Sequence, residues 1–191
     1  MTPVRLVLVR HGDTVADSNV RYYGATDVVL SRAGRRQAER ARRVIGDEVF
    51  GFVVASPLAR AWQTATVLAP RQPIQLEEGF REVNFGEWEG LTRKEIAVRD
   101  PALFARWQQD LPNFDYPGGE ARASFRSRIE AGLGRLLLLE AESALVVAHK
   151  GVIRMLVESL TGQGLAQGEP ELGGVFFLDR TPGGSWRVAP A

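Results

Sequence analysis

The chain carries only two histidines, and each closes an apolar run. His11 stands in "LVLVRHGDT" (6–14) between Arg10 and Gly12, and His149 stands in "LVVAHKGV" (145–152) ahead of Lys150 and Gly151. Two strand-like runs that both stop at histidine point to one shared site. Arg60, one turn into a helix pattern, and Glu82, in a loop, join them. This set suits a phosphate ester. Guanidinium is planar, permanently charged and matched to phosphate oxygens. A neutral imidazole is a competent nucleophile toward phosphorus. A carboxylic acid can protonate a departing alkoxide and then take a proton from water. The helix opening at Gly151 offers free N–H groups to an anion.

These side chains need a frame. Residues 4–9 read as a strand, followed by a loop to Leu30. Ser31 is the expected N-cap of a helix with Ala38, Ala41, Val44 and Ile45 facing inward. Residues 52–55 form a short buried strand, and Ser56-Pro57 supplies an N-cap and first-turn proline for a helix over 58–68. Residues 74–76 make a third strand. Thr92 and Glu95 have capping-box spacing, and Asp100-Pro101 starts another helix before a loop over 111–119. Phe125, Ile129, Leu133, Leu136, Leu137 and Glu140 fall on one stripe of a long helix. Strand 144–148, helix 152–160 and strand 175–178 follow, then a glycine-rich turn and Trp186-Arg187-Val188. The alternation predicts an α/β fold, a three-layer sandwich around a largely parallel β-sheet flanked by helices, as a single domain over 1–191. Such sheets bind ligands at the carboxyl ends of their strands. Arg10, His11, Arg60, Glu82 and His149 all leave from that edge.

Composition narrows the chemistry. With no cysteine there is no disulfide, thiolate nucleophile or cysteine-ligated zinc. A net charge of +1 gives no global field for nucleic acid. The arginines at 32, 35, 36, 40, 42 and 43 read as the solvated face of a helix. No apolar run of about 18 residues is present, and the start lacks signal-peptide features, so a cytoplasmic protein without membrane partners is expected. Trp62, Trp88 and Trp107 read as packing; Tyr22, Tyr23 and Phe114 are candidates for a pocket mouth.

"VRHGDT", then Arg21, Asp27, "LSRAG" and Gln37-Ala38, resembles the histidine phosphatase superfamily, which includes the cofactor-dependent phosphoglycerate mutases. "ASPLARAWQTA", "EVNFGEWEGLT" and "VVAHKGVIR" continue the likeness in order, from residue 6 to about 154. The resemblance implies that His11 becomes the phosphohistidine, that Arg10, Arg60 and His149 hold the phosphoryl group, and that Glu82 is the proton donor. It also places Asp17, Tyr23, Gly24 and Lys150 around the phosphate. Asp13 stands where glutamate is usual, Asp17 where asparagine is common, Tyr23 for glutamine, and Lys150 for glycine or asparagine. A carboxylate at Asp17 would repel the substrate unless protonated or turned away.

The expected activity is hydrolysis of a small phosphorylated metabolite, with no metal or other cofactor and with homodimer formation left open. "YYG", "GGE" ahead of Phe125 and the long polar residue after His149 resemble α-ribazole-phosphate phosphatases; broad specificity is the equal alternative. A mutase is the competitor within the family, and the short 90–119 segment favours water as acceptor. Outside it stand a metallohydrolase, built from the histidines with Asp13, Asp17 or Asp27, and a non-catalytic phosphate-binding module.

Overall fold

The computed structural model describes residues 3–16, 20–166 and 169–189. Six strands and six α-helices follow in the order β1 (Arg5–Arg10), α1 (Arg32–Ile45), β2 (Phe52–Ala55), α2 (Ala59–Leu68), β3 (Ile74–Leu76), α3 (Arg93–Arg99), α4 (Pro101–Gln109), α5 (Arg122–Leu137), β4 (Ser143–Ala148), α6 (Lys150–Thr161), β5 (Val175–Arg180) and β6 (Trp186–Ala189) among the described residues. They form one sheet in the order β3-β2-β4-β1-β5-β6. The first four strands in that order are parallel neighbours, while β5 and β6 join antiparallel.

Period-two side-chain alternation splits the core into two layers. From β1, Leu6 and Leu8 pack with α5 and α6; Val7 and Val9 pack with α1 and α2. Both faces are covered, so β4 is buried along its whole length. The expected three-layer sandwich is present, with a mixed rather than wholly parallel sheet.

Local chemistry explains the boundaries. Ser31 caps α1 by accepting from Gly34 N–H at 3.0 Å, and Thr92 and Glu95 close a capping box on α3. Val44 does not face inward: it is 54% exposed. At 3.6 residues per turn it falls about a quarter turn off the stripe of Gly34, Ala38 and Ala41. Glu140 lies beyond the end of α5. The start of α2 also departs from expectation. Its N-cap is Leu58, which has no side chain to offer, and Asp27 fills the role from a distant loop, accepting from Ala59 N–H at 2.7 Å. Ser56 is thereby left for another task.

Among the described residues no helix is long and apolar enough to cross a membrane.

Candidate active site

The sheet order explains why two histidines far apart in sequence meet. β1 and β4 are parallel neighbours in the register Arg10 to Ala148, and His11 N–H continues the ladder by donating to Ala148 O at 3.0 Å. Each strand then ends in its histidine, and the ring centroids lie 5.1 Å apart. On the far side of β4, strand β2 ends at Ala55, so Ser56 reaches His149. Three adjacent strand ends thus deliver Ser56, His149 and His11 in a row.

His11 is buried, with Nδ1 2.7 Å from Gly12 O. A carbonyl only accepts, so the proton sits on Nδ1 and the lone pair on Nε2. Helix α2 secures this geometry: Thr64 Oγ1 accepts from Gly12 N–H at 3.1 Å and donates to Arg60 O at 2.8 Å. A Cβ on Gly12 would run into the Gly34 carbonyl, so β1 and α1 approach too closely for any other residue there. Burial and the charges of Arg60 and Arg10 hold the imidazole well below its ordinary pKa. His11 is thereby held neutral at pH 7, with an unprotonated Nε2.

Arg60 is 1% exposed, and most of its guanidinium holds protein. It donates from Nε to His149 Nδ1 at 3.3 Å, and from its terminal nitrogens to the carbonyls of Thr26 at 2.8 Å, Tyr23 at 3.1 Å and Gly24 at 2.7 Å. Tyr23 and Gly24 therefore meet the site through backbone oxygens clasping Arg60. Arg10 donates to Pro170 O at 2.9 Å, while its Nε is buried with no partner. Burial, opposed by Glu82 and assisted by Arg60, lowers Arg10 to about 10, so it remains a cation.

Glu82 is 8% exposed. Its carboxylate accepts from Val83 N–H and from Gly151 N–H, both at 3.0 Å. The helix amide expected to face an anion is thus occupied by the candidate acid itself. α6 begins two residues before the expected 152–160 span, with His149 as N-cap and Lys150 as first residue. Burial, assisted by Arg10 and Arg154 and opposed by Glu82, lowers the Lys150 ammonium from its ordinary pKa. Asp17 lies outside the described residues.

Two residues with no role expected from the sequence, Glu89 inside "EVNFGEWEGLT" and Arg128 outside every motif, support these groups. Glu89 accepts from the N–H groups of Gly24, Ala25, Thr26 and Phe85 and from the Thr26 hydroxyl, and so builds the loop that clasps Arg60. Arg128 forms a two-bond pair with Glu120, at 2.6 and 2.7 Å, and donates to the carbonyls of Gly79, Arg81 and Glu82. Neither pairing follows helical spacing, so sequence periodicity cannot reveal it. Phe114 and Trp88 are core residues, stacked at 5.2 Å, so Phe114 does not line a pocket mouth. Asp13 and Asp27 are engaged elsewhere, by the Ser31 hydroxyl and by Ala59 N–H. Among the described residues no three His, Cys, Asp or Glu side chains converge as a metal site would require.

A neutral imidazole between arginines and a second imidazole, with a buried carboxylate at the same sheet edge, has the charge and donors that suit a phosphoryl group. The chain belongs to the histidine phosphatase superfamily (branch 1), whose family model matches residues 6–184. It is 38% identical over 160 residues to the bifunctional protein Rv2228c of Mycobacterium tuberculosis, a match covering 82% of this chain and 44% of that relative. It therefore spans less than half of that protein. The adenosylcobalamin/α-ribazole phosphatase of Escherichia coli K12 is 32% identical over 162 residues, covering 83% and 80%. The solved mycobacterial glucosyl-3-phosphoglycerate phosphatase Rv2419c superposes with a TM-score of 0.82 at 29% identity, covering 96% of each chain.

Proposed function

We propose that this chain, acting as one domain, hydrolyses a small phosphate monoester through a phosphohistidine on His11. The observation that carries the reading is the convergence of Arg10, Arg60 and His149 on a neutral His11 whose Nε2 bears the lone pair. Nε2 attacks phosphorus, the ester P–O bond breaks, and protonated Glu82 gives its proton to the leaving alkoxide. Glu82 then takes a proton from water, whose oxygen attacks phosphorus; the P–N bond breaks and inorganic phosphate leaves. The cationic groups stabilise the charge that spreads over the phosphoryl oxygens. Phosphatases named for α-ribazole and for glucosyl-3-phosphoglycerate stand among the relatives at 32% identity, which supports a sugar-phosphate or nucleoside-like monoester as substrate class. Within that class α-ribazole phosphate and broad specificity are the two readings, and nucleic acid and membranes are not partners.

A phosphate-release screen over a metabolite panel, combined with rapid quench of labelled substrate, tests this. Acid-labile, base-stable label should appear on the protein and vanish, with turnover, in His11→Ala. Turnover should survive dialysis against EDTA. Normal turnover in His11→Ala, or isomerisation of 3-phosphoglycerate without phosphate release, would overturn the reading.

A further inference from the structure

His149 is fully buried, and both its ring nitrogens are engaged. Arg60 Nε lies 3.3 Å from Nδ1, and Ser56 Oγ lies 2.7 Å from Nε2. A guanidinium N–H only donates, so Nδ1 is the acceptor and the single ring proton is on Nε2, donated to Ser56 Oγ. The same oxygen accepts from Leu58 N–H at 3.3 Å, which anchors it to the turn entering α2. His11 carries the opposite arrangement, with its proton on Nδ1 held by Gly12 O. The two histidines are thus opposite tautomers set by neighbours on adjacent strand ends.

We propose that Ser56 is a positioning residue that accepts the Nε2 proton of His149 and, with Arg60 donating to Nδ1, holds the Nε2–H tautomer, so that Nδ1 takes a proton from the bound phosphoryl group. The step moves one proton. The P–OH of a phosphate monoanion breaks its O–H bond, an N–H bond forms at Nδ1, and the phosphoryl group becomes a dianion. His149 becomes an imidazolium whose Nδ1–H donates back to a phosphoryl oxygen, while Nε2–H stays on Ser56. Arg60 Nε–H is released to the phosphoryl group in the same event. Phosphate monoesters exchange their second proton near pH 6, so the monoanion is accessible at working pH. In the protein alone, burial, Arg60 from α2, His11 and Arg10 from β1, and Arg128 from α5 oppose a charge on His149. Lys150 is the next residue along α6, and Glu82 is an acidic group at this edge, bound to Gly151 N–H. A phosphoryl group reverses the local sign and favours the imidazolium. The inference rests on this pocket being the phosphoryl site.

With two histidines in the chain, protein labelled with 15N in its imidazoles gives two ring spin systems, assigned with His11→Gln. Two-bond 1H–15N spectra at pH 7 should show His11 as Nδ1–H and His149 as Nε2–H. Saturating inorganic phosphate should move both nitrogens of His149 into the imidazolium range. In Ser56→Ala, Arg60 still donates to Nδ1 but the Nε2 proton has no acceptor, so the Nε2–H resonance should shift and phosphate affinity should fall about tenfold, the size of one hydrogen bond; Ser56→Thr should restore both. His149 as Nδ1–H in the wild-type protein, or His149 neutral while phosphate shifts His11, would overturn the proposal even if Ser56→Ala does not fold. Phosphate that moves neither histidine would overturn the site reading itself.

Discussion

Glu82, Glu87 and Glu89 lie within one short loop region, yet their surroundings give them different work. Glu87 is on the surface, paired with Arg99 at 2.8 Å. Glu89 spends both oxygens on the loop at 24–26 and on Phe85. Glu82 is buried and bonded to Gly151 N–H in the first turn of α6, two residues on from His149. In the proposed reaction an alkyl alkoxide needs a proton in the transition state, and a nitrophenolate barely does. Glu82→Gln should slow His11 phosphorylation by about 10²–10⁴-fold with alkyl phosphates and only weakly with p-nitrophenyl phosphate. Single-turnover kinetics measure this apart from dephosphorylation. Glu87→Gln should match wild type. Glu89→Gln should show no leaving-group dependence but should melt earlier by about 5 °C, since it weakens several charge-assisted bonds. Leaving-group dependence in Glu89→Gln, and none in Glu82→Gln, would reassign the acid.

At the scale of elements, the N-terminus of α6 is the joint between fold and chemistry. A Cβ on Gly151 would stand 2.6 Å from Glu82 Oε1 and 3.2 Å from Phe125 Cζ. The carboxylate is the movable end of a side chain, so the helix can keep its place while the acid shifts. Gly151→Ala should therefore unfold within about 2 °C of wild type yet lose at least tenfold in alkyl phosphate turnover, since small displacements of an acid are felt strongly. Circular-dichroism melting and steady-state assays check the two halves; full activity would show that Glu82 tolerates displacement. Elements governed by nearby residues were legible in sequence: the Ser31 cap and the Thr92–Glu95 box appear as expected, as do Phe125, Ile129, Leu133 and Leu136 of the α5 stripe. The α2 entry was not. Ser56 has the right residue type for an N-cap, but its hydroxyl is drawn to His149, and Asp27, 32 positions away from Ala59, caps the helix instead. The Arg128 clasp on Glu82 was hidden for the same reason, because its carbonyl partners lie 46 to 49 positions away.

Across the whole molecule, the strand ends could be expected to share an edge, whereas their neighbours could not be read from the chain. Alternation predicts a sheet, but only the fold places β4 between β2 and β1, and that order aligns Ser56, His149 and His11. Seating both histidines there leaves a signature in global stability. Burial and the arginines depress both folded imidazoles well below 6.5, while in the unfolded chain they titrate near that value. Between the folded and unfolded values the unfolded chain binds more protons, so unfolding free energy rises with pH. The contribution is complete above about pH 6.5 and is lost as pH falls toward the depressed folded values. Each histidine should remove about 1.4 kcal/mol per pH unit below 6.5 while it stays neutral in the fold. Carboxylates titrate mainly lower, so the interval from pH 6.5 to 5.5 isolates the imidazoles. Urea unfolding at pH 7.5, 6.5 and 5.5 should show a shallow fall of under about 1 kcal/mol and then a steeper one of about 2 kcal/mol across the last unit. His11→Gln removes one of the two titrating groups and should roughly halve that slope. Equal stability at pH 7.5 and 5.5 would mean that the buried histidines take up protons without opposition, and the neutral-nucleophile account of His11 would fail with it.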